Sequence, residues 1–239
     1  MDDGSRDATD TARIQGRLDI VSDAICPWCF IGKRQFENAA PLLAVEGLRF
    51  AVHWLPFQLN PEMPREGVDR RAYRTAKFGS SERADELDRK VTAAAAQAGL
   101  AFRLDKLTRT PNTIDAHRLV WHAGEEGVQD ATMEAIFRAY FLEGADIGSH
   151  GVLADCAAAA GMARAAALDF LQSDRLEQDV RQTERAARSA GVSGVPSFFL
   201  DGFGLFSGAV GAEKMAEAVA KAHAILAQRR EDGRDQGAA

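Results

Sequence analysis

Four residues, Cys26-Pro27-Trp28-Cys29, restrict the fold and the chemistry of this chain more than any other stretch. The apolar residues 18–25 before them predict a buried strand, and residues 30–38 after them predict an amphipathic helix. Two cysteines with two residues between them, at a turn from strand to helix, can close a disulfide within one helical turn. This spacing and this context indicate a redox-active pair.

The start of the predicted helix gives the two cysteines different roles. Unpaired backbone N–H groups and the helix dipole favour negative charge there, so Cys26 should ionise readily and is the predicted nucleophile. Pro27 suits the first helical turn because it has no N–H to lose. Cys29 lies one turn further in and is the predicted resolving thiol. Trp28 either contacts the substrate or packs over the helix, and the sequence favours neither.

Two other interpretations of the cysteines are a zinc site and an inert pair in the core. A structural zinc site needs four ligands and typically a second Cys or His pair. The remaining cysteine, Cys156, stands alone in an alanine-rich segment, and the five histidines are scattered. We therefore expect no metal ion, and we interpret Cys156 as a small buried residue.

Composition excludes some classes of partner. The chain has 239 residues and a formal net charge of −6, whereas nucleic-acid binding relies on a basic surface. The local basic run at residues 69–74 is interpreted as a solvated helix face. No window holds the roughly twenty apolar residues of a membrane span. We expect no nucleic-acid or membrane partner, and the oligomeric state is not predicted.

The expected compartment follows from the N-terminal residues. Residues 1–15 contain no apolar stretch like that of a secretory signal, so we expect a cytoplasmic protein. The cytoplasmic thiol pool is reducing. In that setting the cysteine pair indicates catalysis or redox sensing rather than a permanent cross-link.

The order of the predicted elements divides the chain into three parts. Residues 16–65 read β-α-β, with a second strand at 48–55 that runs parallel to the first. Residues 66–190 are almost wholly helical by pattern. Residues 191–228 read as a β-hairpin followed by a helix at 212–227. We predict an α/β domain made of 16–65 and 191–228, an inserted helical domain at 66–190, and flexible tails at 1–15 and 229–239.

Longer motifs make the chain resemble a known family. The Cys-Pro-Trp-Cys stretch and Gly194-Val195-Pro196-Ser197 before the third strand are similar to the thioredoxin fold as elaborated in the DsbA family. The resemblance is closest to the FrnE-type branch of that family. It is carried by residues 23–32 (DAICPWCFIG), 57–61 (FQLNP), 77–79 (KFG), 110–119 (TPNTIDAHRL), 137–141 (FRAYF) and 192–198 (VSGVPSF). The resemblance implies an α/β, thioredoxin-like fold with a large α-helical insertion.

The same resemblance implies a disulfide exchange enzyme. Cys26 would attack a disulfide, form a mixed disulfide, and be released by Cys29. The substrate would be a protein or a small molecule that contains a disulfide or a thiol. No resident cofactor is expected, and glutathione is the candidate reductant or ligand. The resemblance also implies that the Val195–Pro196 bond is cis, that this loop lies beside Cys26, and that the backbone of Val195 pairs with an extended substrate segment.

The chain departs from the thioredoxin pattern behind the cysteines. Many thioredoxin-fold enzymes have a buried acidic residue six positions before the nucleophile, but this chain has Ile20 there. Asp23 matches the family pattern, and a carboxylate that caps the next helix is an equally good interpretation. Asn112 and His117 share a predicted helix and could face the cleft, although His117 is more typical of a structural histidine.

A second function is compatible with this architecture. Kappa-class glutathione transferases and 2-hydroxychromene-2-carboxylate isomerases resemble it, and they activate bound glutathione with a serine at the position of Cys26. This chain has both cysteines, and that reaction does not need a resolving thiol. The sequence therefore favours disulfide exchange over glutathione-dependent isomerisation or transfer, and over a non-catalytic redox-sensing module.

Overall fold

A four-stranded sheet positions the cysteine motif. The structure, a computed structural model, describes residues 14–237. The strands are β1 (Arg17–Ser22), β2 (Ala51–Pro56), β5 (Ser197–Leu200) and β6 (Phe203–Ser207), in the spatial order β2-β1-β5-β6. The β1 strand pairs in parallel with β2 and antiparallel with β5. The predicted parallel crossover and the predicted hairpin are both present.

Two long helices accompany the sheet. Helix α1 (Pro27–Val45) connects β1 to β2, and helix α9 (Ala212–Gly237) follows β6 and packs against α1. The order β-α-β followed by β-β-α is that of a thioredoxin-like α/β fold, which confirms the predicted fold class.

The end of α1 differs from the prediction. The sequence predicted a helix over residues 30–38, but the helix continues through Pro41 to Val45. A proline inside a helix removes one backbone hydrogen bond. Ala39 and Leu43 are buried on either side of Pro41, and their packing holds this stretch in helical form.

Seven helices lie between the two parts of the sheet in the described chain. They are α2 (Arg70–Phe78), α3 (Ser81–Gln97), α4 (Ile114–Glu125), α5 (Gln129–Arg138), α6 (His150–Ala159), α7 (Arg164–Leu171) and α8 (Glu177–Ser189). A 3-10 turn at Leu104–Lys106 and a π-helical turn at Ala139–Glu143 join them. The pattern did not indicate the short antiparallel pair formed by β3 (Val68–Asp69) and β4 (Arg109–Thr110).

Aromatic rings connect these helices to α1. Phe30, directly after the cysteine motif, stacks on Phe137 of α5 with ring centroids 5.0 Å apart, and Phe102 stacks on Phe141 at 4.8 Å. These rings belong to one hydrophobic core that includes residues of the sheet and of the helices between its halves. The helix that starts at the cysteine motif is therefore packed against the helical segment.

The C-terminal helix is longer than predicted. We expected it to end at residue 227 with a flexible tail from 229, but α9 continues to Gly237. Arg230 donates a hydrogen bond to Asp201 across 2.7 Å, and Gln228 donates to Asp232 one turn later. These contacts extend the helix beyond its last apolar residues. Residues 1–13 and 238–239 of the predicted tails lie outside the described residues.

None of the helices within residues 14–237 has both the length and the apolar character that crossing a bilayer requires.

Candidate functional site

The carboxyl end of β1 leads directly into the cysteine motif. The strand ends at Ser22, and a tight turn brings the Cys26 N–H to the Asp23 carbonyl at 3.0 Å. Cys26 is the N-cap of α1 and has extended backbone angles, while Pro27 occupies the first helical position. No side chain caps this helix start. Cys26 therefore lies at the start of the helix, the position at which the sequence predicted the nucleophile.

The two thiols have different environments. Cys26 is 4% exposed and Cys29 is completely buried, and neither is in a disulfide in this structure. Burial raises the pKa of the Cys29 thiol well above its ordinary value, and the neighbouring Cys26 raises it further. The arrangement suits a slightly exposed first cysteine and a completely buried, protonated second cysteine behind it.

Cys156 is neither the first nor the second cysteine of such a pair. It is buried in α6, and burial raises its pKa to about 12. Its neighbours are side chains of α5 and α6, away from the cysteine motif. A thiol held neutral in this way is chemically inert at physiological pH.

The loop that precedes β5 lies across from Cys26. The Val195–Pro196 peptide bond is cis, and the Val195 carbonyl accepts from the Cys26 thiol at 3.6 Å. The Pro196 carbonyl is occupied by the Gly208 N–H at 2.8 Å, which ties the loop to the end of β6. The structure thus brings Cys26, Val195 and Pro196 together.

Gly32 permits the close approach of α1 to this loop. A Cβ atom at residue 32 would lie 3.0 Å from the Pro196 Cγ, which is closer than nearly all Cβ contacts. The absence of a side chain at this helical position therefore sets how near the cysteine helix and the proline loop can come.

A cleft of about 350 Å³ opens beside the motif. Cys26, Pro27 and Trp28 form one wall, and Trp28 is 43% exposed. The other walls come from the segment after β2, from α2 and α3, and from the π-helical turn. Trp28 is therefore a partly exposed residue of the cleft wall.

The cleft contains more positive than negative side chains. Arg70, Arg74, Lys77 and Lys90 line it together with one carboxylate, Asp88. Burial lowers the pKa of the Arg74 guanidinium, against the opposing effect of Asp88. The lining therefore has a local excess of positive charge, although Arg70 and Arg74 pair with Asp88 and Lys90 pairs with Glu86.

The interpretation of residues 69–74 as a solvated helix face was correct for Asp69, Arg71 and Ala72, which are exposed, but not for Arg70 and Arg74. We expected a solvated face, but the Arg70 and Arg74 side chains are only 14% and 20% exposed and form ion pairs with Asp88. The spacing of Arg70, Tyr73, Arg74 and Lys77 places them on one helical face, a signal that could have identified the cleft. The sequence could not show that this face turns toward Cys26.

Asp23 does not cap the helix. Its carboxylate is fully buried and accepts from the Leu59 N–H at 2.7 Å and from the Ile25 N–H at 3.4 Å. His117 from α4 approaches the same carboxylate, with Nε2 3.4 Å from Oδ1, and is 2% exposed. Because no N–H of α1 reaches the carboxylate, the capping interpretation is wrong.

Asn112 and His117 do not line the cleft. Asn112 precedes α4 and donates to the Met63 carbonyl at 2.6 Å, which anchors the loop after β2. His117 faces Asp23 behind the motif. Both are buried structural side chains, and His117 lies close enough to Asp23 to influence the site.

Metal binding has no support from side-chain clusters in the described part of the chain. Residues 14–237 contain no group of three or more His, Cys, Asp or Glu side chains placed to hold a metal ion.

Comparisons with known proteins agree with this arrangement. The chain matches the DSBA-like thioredoxin domain over residues 17–220. A probable DsbA oxidoreductase from Streptomyces coelicolor, known from its crystal structure, is 33% identical; the TM-score is 0.77, with 87% of this chain and 89% of that chain covered. The uncharacterized protein YwbO of Bacillus subtilis is 26% identical over 204 residues, or 84% of this chain and 94% of YwbO.

A more distant structure shares the fold. The cytosolic disulfide reductase DsbM from Pseudomonas aeruginosa, solved with GSH, is 21% identical; the TM-score is 0.58, with 90% of this chain and 98% of that chain covered.

The sheet, the cysteine pair at the start of α1 and the hairpin opposite it define a thioredoxin-fold protein of the oxidoreductase type. The chain belongs to the family of DSBA-like thioredoxin domains. The DsbA family indicated by the sequence motifs is confirmed. Its FrnE-type branch remains a prediction.

Proposed function

We propose that this protein is a thiol-disulfide oxidoreductase that uses Cys26 as nucleophile and Cys29 as resolving thiol. The observation that carries the proposal is the placement of the Cys26 sulfur, which lies 3.6 Å from the Val195 carbonyl and at the edge of a cleft. Cys29 is buried one helical turn behind it, where it can reach the same sulfur.

The reaction has two exchange steps. The Cys26 thiolate attacks one sulfur of the substrate disulfide, whose S–S bond breaks, and the first half leaves as a thiol after taking up a proton. Cys29 then loses its proton and attacks the Cys26 sulfur. A Cys26–Cys29 disulfide forms and the second half of the substrate leaves as a thiol. The substrate gains two electrons and the protein loses two; the reverse sequence oxidises a dithiol.

The backbone around Pro196 is the proposed guide for the substrate. Because the Val195 carbonyl lies beside the reacting sulfur, a substrate segment in extended form can pair with the Val195 backbone while its own sulfur meets Cys26. This role extends to protein substrates as well as to small disulfides. Cytoplasmic action is part of the proposal, and the cytosolic reductase DsbM has the same fold.

A redox titration tests the proposed function. The protein is equilibrated in buffers of graded reduced to oxidised glutathione, and the free thiols are trapped and counted. We expect a reversible two-electron transition in the wild type, which disappears in Cys26→Ser. A wild-type protein that forms no Cys26–Cys29 disulfide in any buffer would contradict the proposal.

A second candidate function is glutathione-dependent isomerisation or transfer. The cationic lining of the cleft favours it, because glutathione carries two carboxylates and would bring its thiol to the start of α1. The same cationic lining would also suit a disulfide oxidoreductase that uses glutathione as its reductant. The redox titration distinguishes the two functions, since an isomerase or transferase would bind glutathione without oxidising it.

Lys77 provides a test of anion binding in the cleft. Its ammonium group donates to the Tyr73 hydroxyl at 2.7 Å and lines the cleft near Cys26. In Lys77→Gln we expect the KM for oxidised glutathione to rise about threefold to tenfold, because one partly exposed charge contact is lost. The KM for an uncharged disulfide such as bis(2-hydroxyethyl) disulfide should not change.

Lys221→Gln is the matched control for this experiment. Lys221 is exposed on α9 and does not line the cleft. Equal KM values for oxidised glutathione in all three proteins would show that the cations of the cleft do not select the substrate.

A further inference from the structure

The cleft beside Cys26 has an apolar interior. Its lining includes these buried or half-buried apolar side chains: Phe78, Leu87, Val91, Leu104, Leu107 and Phe141. The hydroxyl of Tyr140, which also lines the cleft, is already engaged, since it donates to the Arg109 carbonyl at 3.3 Å. A ligand in this interior would therefore gain mainly from the burial of apolar surface.

Three cations of the cleft lining have carboxylate partners. Arg70 and Arg74 share Asp88, with N–O distances of 2.8 and 2.6 Å, and Lys90 pairs with Glu86 at 2.6 Å. A cation that is already paired attracts a further anion less strongly than an unpaired one. The cation best able to recognise an anionic ligand is therefore one that has no carboxylate beside it.

Lys77 is such a cation. Within residues 14–237 it has no carboxylate partner, and its ammonium group donates to the Tyr73 hydroxyl at 2.7 Å and to the Asn60 Oδ1 at 3.3 Å. An ammonium group has three donors, so one remains for a carboxylate of a ligand. Lys77 is exposed, whereas the apolar side chains of the interior are not. The free donor therefore lies at the mouth of the cleft.

The size of the cleft limits what can enter it. Its volume of about 350 Å³ is at the lower end of the range of roughly 300–1,000 Å³ that is typical of small-molecule sites. Tyr73 of α2 donates to Asn60 of the segment after β2, and this hydrogen bond joins two walls of the cleft. The cleft therefore suits one half of a small disulfide.

We propose that the preferred substrate is a small disulfide in which each half has an apolar chain and one terminal carboxylate. The chain lies in the apolar interior, the carboxylate pairs with Lys77 at the mouth, and the sulfur meets Cys26 in the cleft wall. This inference rests on the proposed function and gives it a substrate class.

The exchange steps balance for such a substrate. The Cys26 thiolate bonds to the sulfur of the bound half, the substrate S–S bond breaks, and the other half leaves as a thiol after taking up a proton. Cys29 then loses its proton and bonds to the Cys26 sulfur. The bound half leaves and takes up that proton. The substrate gains two electrons and the cysteine pair loses two.

Three disulfides test chain length and charge independently. They are 6,6′-dithiodihexanoate, the shorter acid 3,3′-dithiodipropionate, and the uncharged bis(6-hydroxyhexyl) disulfide. Each is mixed with reduced wild-type protein, and the rate constant of protein oxidation is measured by thiol trapping. Dividing each rate constant by that of dithiothreitol with the same disulfide removes differences in intrinsic reactivity.

We expect the long acid to be preferred over both other disulfides. Its normalised rate constant should exceed that of the short acid by about tenfold or more, because additional methylene groups are buried in the interior. It should exceed that of the uncharged disulfide by about threefold to tenfold, because the contact with Lys77 is made only by a carboxylate. Equal normalised rate constants for the three disulfides would overturn the inference.

Variants assign the two preferences to the two parts of the cleft. Lys77→Gln should abolish the preference for the carboxylate over the alcohol, and Lys77→Arg should keep it. Val91→Thr, which places a hydroxyl in the interior at nearly the same volume, should reduce the preference for the long acid over the short acid about threefold. Val152→Thr is the matched control, since Val152 is half-buried on α6 and does not line the cleft.

Acids without sulfur separate this inference from the proposed function. Tetradecanedioate and octanedioate have methylene groups in place of the sulfur atoms of the long and short acids, and calorimetry measures their dissociation constants. We expect tetradecanedioate to bind about tenfold more tightly. A protein that shows this preference but is oxidised by none of the disulfides contradicts the proposed function. A protein that is oxidised by all three at equal normalised rates contradicts only the substrate class.

Discussion

Replacing Cys29 with alanine is expected to give a protein that reacts once with a disulfide substrate and then stops. Cys26 keeps its position at the start of α1 and beside Val195, so the mixed disulfide still forms. Its release then depends on a dilute external thiol instead of a thiol one helical turn away. Multiple-turnover disulfide exchange should fall by on the order of a thousandfold, because the advantage of an intramolecular reaction is lost.

Mass spectrometry after acid quenching measures the trapped species. The Cys29→Ala protein should carry one substrate half per chain, whereas the wild type should be found as an intramolecular disulfide without adduct. Cys156→Ala is the control, since that thiol is buried away from the site and its pKa is raised to about 12. Wild-type turnover in Cys29→Ala would show that Cys29 is not the resolving thiol.

Among the substitutions considered, Phe137→Ala should cause the largest decrease in the free energy of unfolding. Its ring is 0% exposed and stacks on Phe30 of the cysteine helix, with a perpendicular contact to Trp54 of β2. Removing a buried aromatic ring from a packed core lowers the free energy of unfolding by about 3–5 kcal/mol. Urea denaturation followed by circular dichroism measures this change.

The shape of the unfolding curve is also informative. Because Phe137 joins α5 to both α1 and the sheet, we expect a single transition for the sheet and the intervening helices, with its midpoint shifted to lower urea. Phe203→Ala is the control: that ring is 37% exposed on β6, and its removal should lower the free energy of unfolding by less than about 1 kcal/mol. Two separate transitions in the wild type would instead support an independently folding helical domain.

Local sequence patterns were sufficient to predict the secondary-structure elements that surround the site. The strand before Cys26, the helix after Cys29 and the hairpin after Pro196 each have their own periodicity and turn residues, so their order follows from the sequence. The family resemblance then placed Val195 and Pro196 beside Cys26. Neither inference required knowledge of distant contacts.

The missed features depend on contacts between distant segments. Asp23 is buried where the Leu59 N–H donates to its carboxylate and the His117 ring lies nearby, and no local pattern indicates those neighbours. The cationic face of α2 was assigned to solvent because the sequence does not show which neighbour a short polar helix meets. The last turns of α9 were assigned to a tail because Arg230 contacts Asp201, in the turn between β5 and β6, and this contact between distant residues is not visible in the local sequence.

Gly32 also restricts how the sequence of such a protein can change during evolution. At this point the cysteine helix and the proline loop are so close that a Cβ atom at residue 32 would require the Pro196 ring to give by a few tenths of an ångström. A methyl group there would require this loop to move outward, and the Val195 carbonyl beside the Cys26 sulfur belongs to the same loop. The helices that form the cleft can vary in sequence and so alter which substrates enter, while the reaction geometry stays the same. In this architecture, selectivity and chemistry can therefore evolve separately.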